Sequence, residues 1–154
     1  MRIPLLLLCS LACTPTAPPT QEGAASTSPT QPAVQEITIG ARGNLMAYDR
    51  GELRVRAGGS LRITFVNPAE ATMAHNIVFV QAGQTQIVAE QCTDEGSLRP
   101  DAEALKKVLG QSETIQPGKR TVFAFETPPP GRYEYVCTVR GHSQTMRGWL
   151  IVEP

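Results

Sequence analysis

Apolar and polar residues alternate through most of the chain, the signature of half-buried β-strands. Leu61, Ile63 and Phe65 fall on one side, Arg62 and Thr64 on the other. Thr121, Phe123 and Phe125 alternate with Val122 and Ala124, and Tyr133, Tyr135 and Cys137 with Glu134 and Val136. The same reading predicts strands at Glu36–Ile39, Leu53–Arg56, His75–Val80, Gln86–Ala89 and Trp149–Val152. Gly58-Gly59, Gly83, Pro117-Gly118 and Pro130-Gly131 supply the turns between them. Many short strands at such spacing predict an all-β fold of two packed antiparallel sheets.

One segment departs from period two. Ala102, Leu105, Val108 and Leu109 recur at helical spacing, with Pro100 before them and Gly110 after. This predicts a short helical flap near residues 101–109. Glu90, Asp94, Glu95, Asp101 and Glu103 make its approach acidic and read as a solvated surface.

The strand pattern begins only after residue 34. Thr14–Val34 holds five Pro, five Thr and a single charge, Glu22. Such a stretch has no apolar face to bury and reads as a tether. In polyproline geometry it reaches roughly 65 Å at most. Before it, Arg2 and the apolar run Ile3–Ala12 read as a signal peptide, residues 1–12. The run is about half the ~20 residues that a membrane-spanning helix needs. Ser10-Leu11-Ala12-Cys13 resembles a bacterial lipoprotein signal, with Ser10 where that family usually has Leu. The resemblance implies that Cys13 carries lipid, residues 13–34 form an anchored tether, and residues 35–154 form the folded domain on the exported side of a bacterial membrane.

Composition then narrows the function. The 154 residues carry 14 Lys and Arg against 14 Asp and Glu. A neutral chain with scattered charge lacks the basic face that nucleic acid rewards. Only two histidines occur, His75 and His142, too few for multi-copper oxidase clusters. Nothing in the sequence pairs a nucleophile with a base, so no enzyme is expected.

The chemistry concentrates near the C-terminus, in Cys137-Thr138-Val139-Arg140-Gly141-His142-Ser143-Gln144-Thr145-Met146. A thiol, an imidazole and a thioether lie within ten residues. Cys137 ends a predicted strand and Gly141 lets the backbone turn, so one loop can aim all three at one point. His75 begins another predicted strand and can bring the second imidazole. Two His and one Cys with a long axial Met form the donor set of blue-copper electron-transfer sites.

His75-Asn76 with Cys137, His142 and Met146 resembles the cupredoxin family, most closely its azurin and auracyanin branch. Gly43-Asn44-Leu45-Met46 is similar to an early azurin segment. The resemblance covers residues 35–154 and implies a Greek-key β-sandwich with one type 1 copper per chain. It implies His75, His142 and Cys137 as equatorial ligands, Met146 as axial sulfur, and a weak fifth contact from the Ala74 carbonyl. It places Asn76 and Thr138 behind the ligands, where Asn76 ties two ligand segments together by hydrogen bonds. It implies a monomeric electron carrier that meets redox proteins through His142. Arg140 stands where the family often has Pro. Arg132, Arg140 and Arg147 against Glu134 make the loop mildly positive, which favours partners with acidic faces.

Two other readings fit parts of the pattern. Tyr135-Val136-Cys137 mimics the tyrosine corner of immunoglobulin domains, and a Cys92–Cys137 disulfide would give an adhesive sandwich without metal. That reading leaves His142 and Met146 unexplained, and the Trp expected between the cysteines is absent. The other is a copper carrier that releases its metal, against which a closed four-ligand site argues. With Cys13 lipidated and Cys137 on metal, Cys92 has no intramolecular partner and is expected to be buried as a small apolar residue.

Overall fold

The computed structural model describes residues 33–99 and 103–154. Its strands are β1 (Val34–Gly40), β2 (Glu52–Arg56), β3 (Ser60–Val66), β4 (Val78–Gln81), β5 (Val108–Gln111), β6 (Arg120–Glu126), β7 (Gly131–Val136) and β8 (Arg147–Glu153). They form a three-stranded sheet, β1-β3-β6, and a five-stranded sheet, β2-β8-β7-β4-β5. Four of the six neighbouring pairs are not consecutive in sequence, as the crossovers of a Greek-key sandwich require. The residues that alternate inward meet between the sheets. Leu61, Ile63 and Phe65 of β3 pack with Leu53, Val55, Phe79, Tyr135, Leu150 and Val152 of the larger sheet.

The sheets are mixed rather than purely antiparallel. β1 runs parallel to β3, and β2 runs parallel to β8. Alternation reports which face a side chain takes, not the direction of the neighbouring strand. β1 also begins at Val34, one residue inside the stretch read as tether. The expected signal, the expected lipid-attachment residue Cys13 and the expected tether up to residue 32 lie outside the described residues.

The flap differs from its expected extent. Gln86–Ala89 lies inside a short helix, α1 (Thr85–Glu90), and is not a strand. Within the segment expected to be helical, a 3₁₀ turn spans Glu103–Lys107, and Val108–Gln111 is strand β5 on the edge of the larger sheet. The cause is a second apolar layer. Val78, Val80 and Val136 point to the outer face of that sheet and are covered by Val88 of α1 and Ala104 of the turn. β4 is therefore buried on both faces and shows no alternation, while Val88 reads as a strand residue until its helical partner Thr85 is seen.

Candidate metal centre

The copper-type residues gather at one end of the sandwich. His75 lies just before β4, and its backbone is pinned on both sides by Ile115: the His75 N–H donates to Ile115 O at 3.1 Å and the Ile115 N–H to His75 O at 2.9 Å. Asn67, fully buried, adds Nδ2 donations to the carbonyls of Ile115 at 3.1 Å and Met73 at 2.9 Å. Cys137 follows β7 directly. Its N–H donates to Met146 O at 2.9 Å, which closes the base of the 137–146 loop. Inside the loop the Met146 N–H donates to His142 O at 2.9 Å and the His142 N–H to Val139 O at 3.0 Å. Gly141 holds φ at 83°, a left-handed turn that glycine adopts without steric cost.

This backbone brings three donor atoms to one point. Cys137 Sγ stands 3.5 Å from His142 Nδ1 and 3.9 Å from His75 Nδ1. Donor atoms of all three residues lie within 4.8 Å of one another. His75, Cys137 and Met146 are fully buried, while His142 keeps 7% exposure and is the member nearest solvent. Met146 packs in the inter-sheet core below the loop. Ala74 precedes His75 and is half-buried. Met73 is half-buried, and Met46 is exposed on the loop after Gly43.

Burial sets the protonation of the group. It lowers His75 to about 4, with His142 adding to the effect, and it also lowers His142. Burial raises the Cys137 thiol to about 11, opposed by the backbone N–H groups of Asn76 and Val139. Each donor thus disfavours its own charge. Two neutral imidazole nitrogens and a thiol converge with no counter-charge among them. A soft cation would make the thiolate favourable, and both opposing N–H groups already suit a thiolate. The residues fit copper.

Asn76 and Thr138 join the two donor segments. Asn76 Nδ2 donates to Thr138 Oγ1 at 2.8 Å and to Gly96 O at 3.0 Å, and the Thr138 N–H donates to Asn76 Oδ1 at 2.9 Å. Thr138 Oγ1 in turn donates to Gly96 O at 2.6 Å. Three contributors escaped the sequence reading. Gly96 carries no side-chain signal. Tyr48 donates its hydroxyl to Asn76 O at 2.7 Å from a segment noted only for its methionine. Asp94 is exposed, as expected of a solvated acid, and its carboxylate also accepts from Arg140 Nη1 at 2.8 Å. An arginine two residues before a candidate donor, where a charge needs compensation, is the available clue.

The disulfide reading is overturned. Among the described residues Cys92 and Cys137 are both free, and both are buried. Cys92 Sγ donates to Val88 O at 3.2 Å under α1, while Cys137 faces the histidines. The tyrosine-corner likeness falls with it: Tyr135 donates across 85 positions to Arg50 O at 2.6 Å, and the short upstream bond belongs to Tyr133, to Pro129 O at 2.9 Å.

The family described as copper binding proteins, plastocyanin/azurin family, matches residues 35–153. The chain is a cupredoxin of that family. It is 33% identical over 121 residues to auracyanin-A of Chloroflexus aurantiacus, an alignment covering 75% of this chain and 73% of that one. The dithionite-reduced auracyanin of Roseiflexus castenholzii superposes with TM-score 0.69 at 30% identity, covering 78% of this chain and 98% of that one. Auracyanin A of Chloroflexus aurantiacus, described as a "blue" copper protein, superposes with TM-score 0.68 at 29% identity, covering 79% and 100%. Family membership and the buried His75, Cys137 and His142 cluster together support copper binding and electron transfer by this cupredoxin.

Proposed function

We propose that the protein is a type 1 copper protein that carries single electrons between redox proteins outside the cytoplasm. The carrying observation is the convergence of His75 Nδ1, Cys137 Sγ and His142 Nδ1 inside a cupredoxin sandwich. These three residues would hold the metal, with the Met146 thioether as axial donor and the Ala74 carbonyl as a weak further contact. Met146 suits the role because it is fully buried and its backbone bonds to both Cys137 and His142. Bound copper would supply reversible one-electron exchange. The chain supplies rigidity: Ile115 fixes His75, Asn76 and Thr138 lock the two donor segments, and the closed loop fixes His142. Donors held in place have little to rearrange when the charge of the site changes. The same closure argues against a carrier that hands copper on.

His142, the donor nearest solvent, is the port for electrons. Its surroundings are less positive than the sequence suggests. Arg140 is paired with Asp94, and Arg132 lies toward the far end of β7, stacked 3.7 Å over Trp149. Preference for partners with acidic faces then rests on Arg147. The protein is an electron carrier and not an enzyme, works as a monomer, and does not bind nucleic acid. Export and a lipid anchor at Cys13 rest on the leader-like sequence of residues 1–13.

Voltammetry of the copper-loaded chain tests this reading. One reversible one-electron wave at a stoichiometry of one copper per chain supports it. No wave, or copper passing freely to a weak chelator, counts against it.

A further inference from the structure

We propose that Asp94 is a positioning residue of this site: it grips Arg140 by main chain and side chain and so fixes the turn that presents His142. The inference rests on the copper reading above. Asp94 lies on a loop of the flap, remote in sequence from both donor segments. The Arg140 N–H donates to Asp94 O at 3.1 Å, and Arg140 Nη1 donates to Asp94 Oδ2 at 2.8 Å. Arg140 and His142 are separated only by Gly141, whose φ of 83° makes the turn between them. Glycine is the most freely moving residue, so the bond from the His142 N–H to Val139 O that closes this turn gains from a second, external hold. The 137–146 loop has internal bonds from Val139 onward through His142, but Arg140 itself has its N–H bond only to Asp94.

The flap loop is braced well enough to act as that hold. The Thr93 N–H donates to Ser97 O at 2.8 Å, the Gly96 N–H to Thr93 O at 2.9 Å, and Thr114 Oγ1 to Glu95 O at 2.6 Å. Cys92 and Leu98 form a bridge at its base. Gly96 lies flat on the donor segment: a Cβ there would meet Val139 N at 2.8 Å and Asn76 Nδ2 at 3.0 Å. The loop therefore reaches the donor segment at two adjacent points, Gly96 on Asn76 and Thr138, and Asp94 on Arg140. Where a proline would stiffen the turn covalently, this chain uses an ion pair from a third segment. The pair is exposed, 76% for Arg140 and 69% for Asp94, so salt weakens it.

The full chain is compared as wild type, Asp94→Ala, Arg140→Ala, the double variant and Asp94→Glu. Two quantities are read: the rate of copper loss to a strong chelator, and amide hydrogen exchange at Arg140 and His142 in the metal-free protein. Asp94→Ala and Arg140→Ala are each expected to speed copper loss about three- to fivefold, the scale of an exposed pair. Exchange at both amides should rise with it. The double variant should be no faster than either single, because the two side chains act as one unit. Asp94→Glu should stay near wild type, and 1 M salt should speed only these two proteins, which keep the ion pair. Wild-type rates in both single variants, multiplying effects in the double, or faster exchange at Arg140 without His142 would each overturn the proposal. A wild type that takes up no copper defeats the parent reading instead, and is seen before any variant is compared.

Discussion

Asn76 and Thr138 bond to each other twice: Asn76 Nδ2 donates to Thr138 Oγ1 at 2.8 Å, and the Thr138 N–H donates to Asn76 Oδ1 at 2.9 Å. Each follows a donor residue directly, Asn76 after His75 and Thr138 after Cys137, so this pair sets the spacing of the two segments. Asn76→Ala leaves the buried Thr138 N–H without a partner. A loss of about 2–3 kcal/mol is expected in chemical unfolding of the metal-free protein. The copper-loaded variant should also show altered electron paramagnetic resonance parameters, which a purely structural loss elsewhere would leave unchanged.

The apo-protein should weaken in mild acid. His75 titrates near 4 when folded, against an ordinary histidine value of about 6.5. Between those values the unfolded chain binds more protons, so stability falls as pH drops from about 6.5 to about 4 and levels off below. The displacement corresponds to roughly 3 kcal/mol. Denaturant midpoints of the metal-free protein at a series of pH values check this. His75→Gln should flatten the slope in that window.

Part of this site is legible in the sequence because Cys137 and His142 sit five residues apart on one loop, whose own hydrogen bonds do the positioning, whereas His75 comes from 62 positions upstream. Cys137 and His142 need only one turn at Gly141 to converge. The single-face strands, β3 above all, are equally legible, since Leu61, Ile63 and Phe65 bury one side while Arg62 stays exposed. The flap is not. Val88 and Ala104 cover an outer sheet face that local pattern cannot reveal, so α1 reads as a strand and β5 as helix. Gly96, Asp94 and Tyr48 are illegible for a related reason. Their roles consist of hydrogen bonds to residues 20 or more positions away, made by two carbonyls, a carboxylate and a hydroxyl that carry no periodic signal.

Met146 should control the reduction potential. A thioether is a soft neutral donor and favours Cu(I) relative to an oxygen donor. Met146→Gln should lower the potential with the colour retained, and Met146→Leu should raise it. Each displacement of about 59 mV corresponds to about 1.4 kcal/mol of differential stabilisation. Protein-film voltammetry reads both. Wild-type potentials in both variants would remove Met146 from the metal and direct attention to Met73 or Met46.

Cys13→Ser should move the protein from the membrane fraction to the soluble exported fraction. The test is fractionation with mass spectrometry of the mature N-terminus. Wild-type protein that is soluble after export, or that lacks lipid at its N-terminus, contradicts the anchor. Copper binding should be the same in both forms, because the donors lie in the folded domain.

The central claim is that Cys137, His75 and His142 hold one copper as a thiolate centre. Visible absorption of the chain titrated with Cu(II), beside Cys137→Ala, tests it most directly. The wild type should develop an intense blue or green thiolate-to-copper band that saturates at one equivalent and bleaches on reduction, and the variant should stay without it. A wild-type chain that stays colourless, or a band that survives in Cys137→Ala, would contradict it.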